Sequence, residues 1–166
     1  MSAKTKYDYH LSHWSDIQDH LPRLRAAARG NCLEIGVRSG CSTSALLAGI
    51  EEHGGHLYSV DINDCQVFRG HPDWTFYCAD SIKDEAIKKL LANDYEVLFI
   101  DGDHTFEGAM SDLESFGPRA KRIFIHDVDA PDYPGVKLAV ETFAKKTGRK
   151  VTYWPGSFGM AEIAGR

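Results

Sequence analysis

Leu33-Glu34-Ile35-Gly36-Val37-Arg38-Ser39-Gly40 is an apolar run that ends in two glycines, and its reading decides the fold. Where a strand turns into a helix beside a ligand, the backbone must come close without a Cβ, and glycine supplies that freedom. The first glycine of the dinucleotide pattern G-x-G-x-x-G has no counterpart here, and the carboxylate of Glu34 stands beside the turn instead. That placement predicts repulsion of a diphosphate and attraction of a ligand carrying positive charge.

Around this stretch, short apolar runs alternate with helical patterns along almost the whole chain, the signature of a parallel sheet joined by crossover helices. Residues 32–37, 57–62, 75–78, 95–100 and 122–125 read as strands, and 44–52, 82–91, 106–116 and 136–146 as helices. The run at 95–100, YEVLFI, is the most apolar and predicts a central strand covered on both faces. Residues 150–154 and 160–163 flank PGSFG with no helix between them, so they predict an antiparallel pair. Residues 12–29 suggest one or two helices broken near Pro22, with Gly30 as a stop.

The chain has 166 residues, with 19 basic and 24 acidic side chains and a net charge of −5, which excludes a broad basic footprint for nucleic acid or anionic membrane. Hydrophobic residues at 43 % and charged residues at 26 % are globular values and argue against disorder or a disulfide scaffold. One domain over 1–166 is expected, a helical cap at 1–30 followed by a ligand-binding core at 31–166, with a small molecule as partner. The amino terminus has no apolar stretch of signal length and no run is long enough to span a bilayer, so a cytoplasmic location is expected. Cys32, Cys41, Cys65 and Cys78 form no C-x-x-C pair and read as reduced thiols.

In an open α/β sheet, ligands bind outside the carboxyl ends of the strands, where strand order reverses. The expected strand ends carry Glu34 and Gly36, then Asp61, Asp80, Asp101 with Asp103, and His126 with Asp127. Single acids at such places cap helices or face water. Five successive strands ending in acid ask for a shared ligand. Asp61 stands where a carboxylate accepts from both hydroxyls of a ribose. Together these residues ask for a nucleoside with a cationic arm.

At this point the residues resemble the class I methyltransferases that use S-adenosylmethionine. LEIGVRSG is similar to their E/D-x-G-x-x-x-G motif, YSVDI to the ribose-binding strand end, and CADS to the motif that touches adenine. FIDGDHTFEGAMSDL with IFIHDVD resembles the small O-methyltransferase group related to macrocin-type and cephalosporin hydroxylase-like proteins. The resemblance implies a Rossmann-like, doubly wound, seven-stranded and mostly parallel α/β sheet with a C-terminal antiparallel hairpin strand. It implies that Glu34, Gly36 and Gly40 hold the methionine end of the cofactor, and that Asp61 binds ribose with Ile62 beside adenine. Asp80 and Ser81 would meet the adenine edge, and Asp101 the sulfonium. Relatives that bind a divalent cation place it where this chain has Asp101, His126 and Asp127, the histidine being a departure that favours manganese, iron or zinc over magnesium.

Methyl transfer to oxygen requires a near-attack nucleophile and removal of its proton. Asp103 is the first choice of base and His104 the second; a bound cation that acidifies the hydroxyl is the other device. Phe158, Trp154, Asp129, Asp132 and Tyr133 are candidates for the acceptor wall, and Tyr7, Tyr9 and Trp14 for its roof. Asp112 and Glu114 read as a solvated helix face, and His10 with His13 lacks a third metal ligand. Little chain is left to cover the acceptor, so the pocket is expected to be open or to be closed by a second subunit in a homo-oligomer. The competing functions are a non-catalytic cofactor-binding or assembly module and a nicotinamide-dependent oxidoreductase.

Overall fold

The computed structural model describes residues 2–164. Seven strands, β1 (Gly30–Ile35), β2 (Gly55–Asp61), β3 (Trp74–Cys78), β4 (Tyr95–Ile100), β5 (Ala120–His126), β6 (Val151–Trp154) and β7 (Met160–Ala164), form one sheet. Their order is β3-β2-β1-β4-β5-β7-β6. Strands β1 to β5 pair in parallel; β7 runs against both β5 and β6, so it alone is reversed. This is the Rossmann-like sheet with its antiparallel closing strand. The order turns back between β1 and β4, and the crevice of a doubly wound sheet opens there.

Strand β4 shows why the sheet sits in the middle. Leu98 and Ile100 pack with one apolar cluster, Val97 and Phe99 with the other, and all four are buried. The helices divide accordingly. α1 (Ala3–Ser12), α2 (Leu21–Ala27) and α3 (Cys41–His53) cover one face, while α4 (Glu85–Leu90), α5 (Phe106–Phe116) and α6 (Pro134–Thr147) cover the other. No helix among the described residues is long and apolar enough to cross a membrane.

Several expectations about the elements are corrected. Pro22 stands in the first turn of α2, directly after a short 3₁₀ helix at Gln18–His20, where the helix needs no N–H from it. Gly30 opens β1 with φ +57° and donates its amide to the Gly54 carbonyl, so it is not a helix stop. α1 carries no apolar stripe and buries only Ala3 and Tyr7, so helical periodicity gave no sign of it. The helix expected from 82 starts at Glu85, since Asp80 accepts from the Ile82 and Lys83 amides and folds the intervening chain into a turn. Asp112 is not on a solvated face; it is 1 % exposed in the stripe Ala109, Asp112, Leu113 and Phe116.

Candidate active site

A cavity of about 760 Å³ lies across the carboxyl ends of the five parallel strands. From the β3 edge inward its wall runs through Asp80 and Ser81, Asp61 and Ile62, then Gly36, and on to Asp101, Asp103, His104 and Asp127 beyond the crevice. A second cavity of about 560 Å³ shares Asp103, His104, Asp132 and Tyr133 with it.

The β1 turn is clamped from both sides. Gly36 donates to the Val60 carbonyl at 2.8 Å, Asp101 donates its amide to Ile35 at 2.8 Å, and Gly36 has φ +91°. A Cβ there would overlap the Asp101 carbonyl oxygen. Asp61 holds the far side of the turn: its Oδ2 accepts from the amides of Val37 at 2.8 Å and Arg38 at 3.0 Å, and its Oδ1 from Asn63 at 2.8 Å. Burial pushes the Asp61 carboxyl up, but these amides outweigh it and hold it below the usual range. This carboxylate stands beside the β1 turn and lines the cavity.

That role was assigned to Glu34, and the structure moves it. Glu34 is fully buried, lies outside the cavity wall, and accepts from Ser42 at 2.6 Å, Ser59 at 2.6 Å and Thr43 at 2.9 Å. Burial pushes its carboxyl up to about 7 against those three bonds. Strand alternation explains the difference, since Glu34 and the cavity-lining Ile35 face opposite sides of the sheet. Gly40 also lies off the wall; with φ +81° it caps α3, and a Cβ there would come within 2.7 Å of Val67.

Beyond the crevice, two imidazoles and two carboxylates meet. His104 Nε2 is 3.0 Å from Asp127 Oδ2 and 3.4 Å from Asp101 Oδ1; His126 Nδ1 is 3.3 Å from Asp127 Oδ1 and 3.4 Å from Asp101 Oδ1. The acids hold the His104 imidazolium up to about 9. Burial pulls His126 down, yet the same acids raise it to about 10. Burial opposes ionisation of Asp127, and the two imidazoles more than offset it, leaving the carboxyl far below its ordinary range. Asp127 has φ +63°, a costly conformation for a non-glycine residue that the surrounding bonds must hold. His126 is buried behind the wall, and its Nε2 donates to the Ser157 carbonyl at 2.7 Å. Asp101, His104 and Asp127 each offer a donor atom, all within 4.8 Å of one another. The expected metal set contained His126; the cavity-facing imidazole of this cluster is His104.

Of the expected acceptor residues, Asp132, Tyr133 and Phe158 line the cavity, and Tyr133 stacks on His104 with centroids 4.4 Å apart. Asp129 pairs with Lys137 instead, and Trp154 lies under the Arg23 guanidinium. The expected roof does not form: Tyr7 is buried in the core and Trp14 is 85 % exposed outside the wall. Asp16, which pairs with Arg38 at 2.6 Å, is the cap residue at the cavity, and no local pattern in the sequence marks it. His10 faces Cys41 while His13 stacks on Tyr9, so the two histidines do not converge.

The model of a methyltransferase domain family matches residues 33–128, more than half of the chain. The chain belongs to this methyltransferase family. No curated protein matches it. Solved structures share the methyltransferase fold at low identity. SAH-bound PaMTH1 of Podospora anserina superposes with a TM-score of 0.69 at 15 % identity, covering 100 % of this chain and 88 % of that one. An O-methyltransferase from Bacillus cereus in complex with SAH gives 0.66 at 16 %, covering 98 % and 86 %. CalS11, a TDP-rhamnose 3'-O-methyltransferase of calicheamicin biosynthesis, gives 0.66 at 17 %, covering 88 % and 76 %. The methyltransferase motifs and the match begin at the same residue, Leu33, and the match ends just past Asp127.

Proposed function

We propose that this methyltransferase moves the methyl group of S-adenosylmethionine to an oxygen of a small hydroxylated acceptor. The observation that carries the reading is the single cavity that joins Asp61 and Gly36 on one side of the crevice to Asp103 and Tyr133 on the other. On Asp61 Oδ1 the Asn63 amide bond is short at 2.8 Å but the Asn63 Nδ2 bond is long at 3.4 Å, so a ribose hydroxyl can take the place of the latter. Gly36 brings backbone close to the methionine arm, and the acids around it favour a sulfonium.

In the displacement the S–CH₃ bond breaks as the O–CH₃ bond forms, S-adenosylhomocysteine leaves, and the acceptor proton needs a base. His104 already holds its proton at neutral pH, so the sequence-level choice between it and Asp103 falls to Asp103. Asp103 is exposed to the cavity and spends Oδ1 on the Thr105 amide at 2.8 Å, which leaves Oδ2 for the proton. His104 then orients Tyr133 and screens Asp101 from Asp127. With the His104 proton displaced, Asp101, His104 and Asp127 would together suit a divalent cation that accepts mixed oxygen and nitrogen ligands. Such an ion, when bound, acidifies and orients the acceptor hydroxyl.

Titration calorimetry with S-adenosylhomocysteine, followed by assays of its release across sugar and phenol acceptors, tests the reading. Saturable binding and turnover with a hydroxylated compound are expected. A wild-type chain that binds neither S-adenosylmethionine nor its product would refute it.

A further inference from the structure

Asp112 has no part in the chemistry so far. It is 1 % exposed on the buried stripe of α5, and neither carboxylate oxygen closes a hydrogen bond of ordinary geometry. A buried carboxyl in that condition opposes folding, and an apolar residue of its size would not. Burial pushes it up to about 7, and Ser81 is the first group that opposes the rise. What separates it from the cofactor cavity is a wall of small residues. Gly102, Gly108 and Ser81 line the cavity; Gly108 lies one helical turn before Asp112, and a Cβ on Gly102 would stand 3.8 Å from Asp112 Oδ2.

We propose that Asp112 is a positioning residue for base recognition: its unpartnered carboxylate closes a hydrogen bond from the Ser81 hydroxyl when the cofactor is bound, so that the Ser81 oxygen presents only lone pairs to the purine edge. The inference rests on the S-adenosylmethionine reading above. A serine hydroxyl has one donor and two acceptor positions, and an ionised carboxylate can only accept, so the carboxylate fixes which way the hydroxyl turns. The oxygen then accepts from the 6-amino group of adenine. A 6-oxo purine would bring an acceptor against an acceptor, and buried sites reject such pairings strongly.

The test compares S-adenosylhomocysteine with S-inosylhomocysteine by titration calorimetry of the full chain at about pH 8, where the carboxylate is ionised. The wild type is expected to prefer the adenosine compound at least tenfold. Asp112→Leu, of similar size but with no acceptor, frees the Ser81 hydroxyl to turn outward, so the preference falls by about tenfold. Asp112→Ala, which removes the buried charge, is a second variant against misfolding; it frees the hydroxyl and lowers the preference several-fold. A preference unchanged in every folded Asp112 variant overturns the proposal while leaving the function standing. If the wild type binds neither compound, the functional reading fails, and this proposal with it.

Discussion

Gly36 shows how much a single position carries. Its φ of +91° and the Asp101 carbonyl lying where a Cβ would be leave no side chain that fits. Gly36→Ala is expected to cost more than about 1 kcal/mol of stability and to remove S-adenosylhomocysteine binding, read by urea melts and calorimetry. Asp103→Asn tests the base. Turnover is expected to fall by roughly 10²- to 10⁴-fold with product affinity unchanged, since the amide takes no proton but keeps the bond to Thr105. At this scale the sequence exposed most of the cavity acids because they fall at strand ends, and it misplaced Glu34 because a strand-end motif does not say which face a side chain takes. Asp112 left a legible sign, an acid at the i+3 position of an apolar stripe, that only burial made meaningful.

The turn between β6 and β7 is the element under most strain. Gly156, Ser157, Phe158 and Gly159 all have positive φ, at 93°, 42°, 61° and 77°, and two of them are not glycine. Each such residue costs on the order of 1 kcal/mol or more. The conformation is held from outside. His126 Nε2 donates to the Ser157 carbonyl at 2.7 Å, His20 Nε2 to Gly156 at 2.8 Å, and the Asp129 amide to Phe158 at 2.8 Å. His126 therefore ties the acid cluster to the wall that carries Phe158. His126→Ala is expected to lower stability by roughly 3 kcal/mol, because it frees the turn and leaves Asp101 and Asp127 short of a partner. A urea midpoint within error of the wild type would contradict this. PGSFG was readable as a turn from composition, whereas its bond to the acid cluster spans 31 residues of chain and has no local sign.

For the whole molecule, the −5 net charge matters less than where the acids gather, and its pH dependence follows. His104 and His126, raised to about 9 and about 10, add stability that is complete below their unfolded value of 6.5 and lost as pH climbs through those values. Glu34 and Asp112, both raised to about 7, hold protons that the unfolded chain has already released, so they too lose stability as pH rises from about 4 to 7. Asp127, lowered, loses its contribution only as pH falls below its unfolded value of 3.8. Calorimetric melts of the ligand-free chain should therefore peak near pH 4 and decline toward pH 10. A Tm that climbs between pH 6 and 9 would contradict that assignment. The sequence alone determined the alternation of strands and helices, the central place of YEVLFI, the reversed last strand and the acids at strand ends, because periodicity and glycine spacing are local properties. Only the tertiary structure decided that Glu34 turns away from the cavity, that Asp61 takes the turn amides, and that His104 faces the cavity while His126 braces a distant turn. Those outcomes depend on which strand lies beside which and on which side of the sheet each residue emerges. Both are settled by packing residues far apart in the chain.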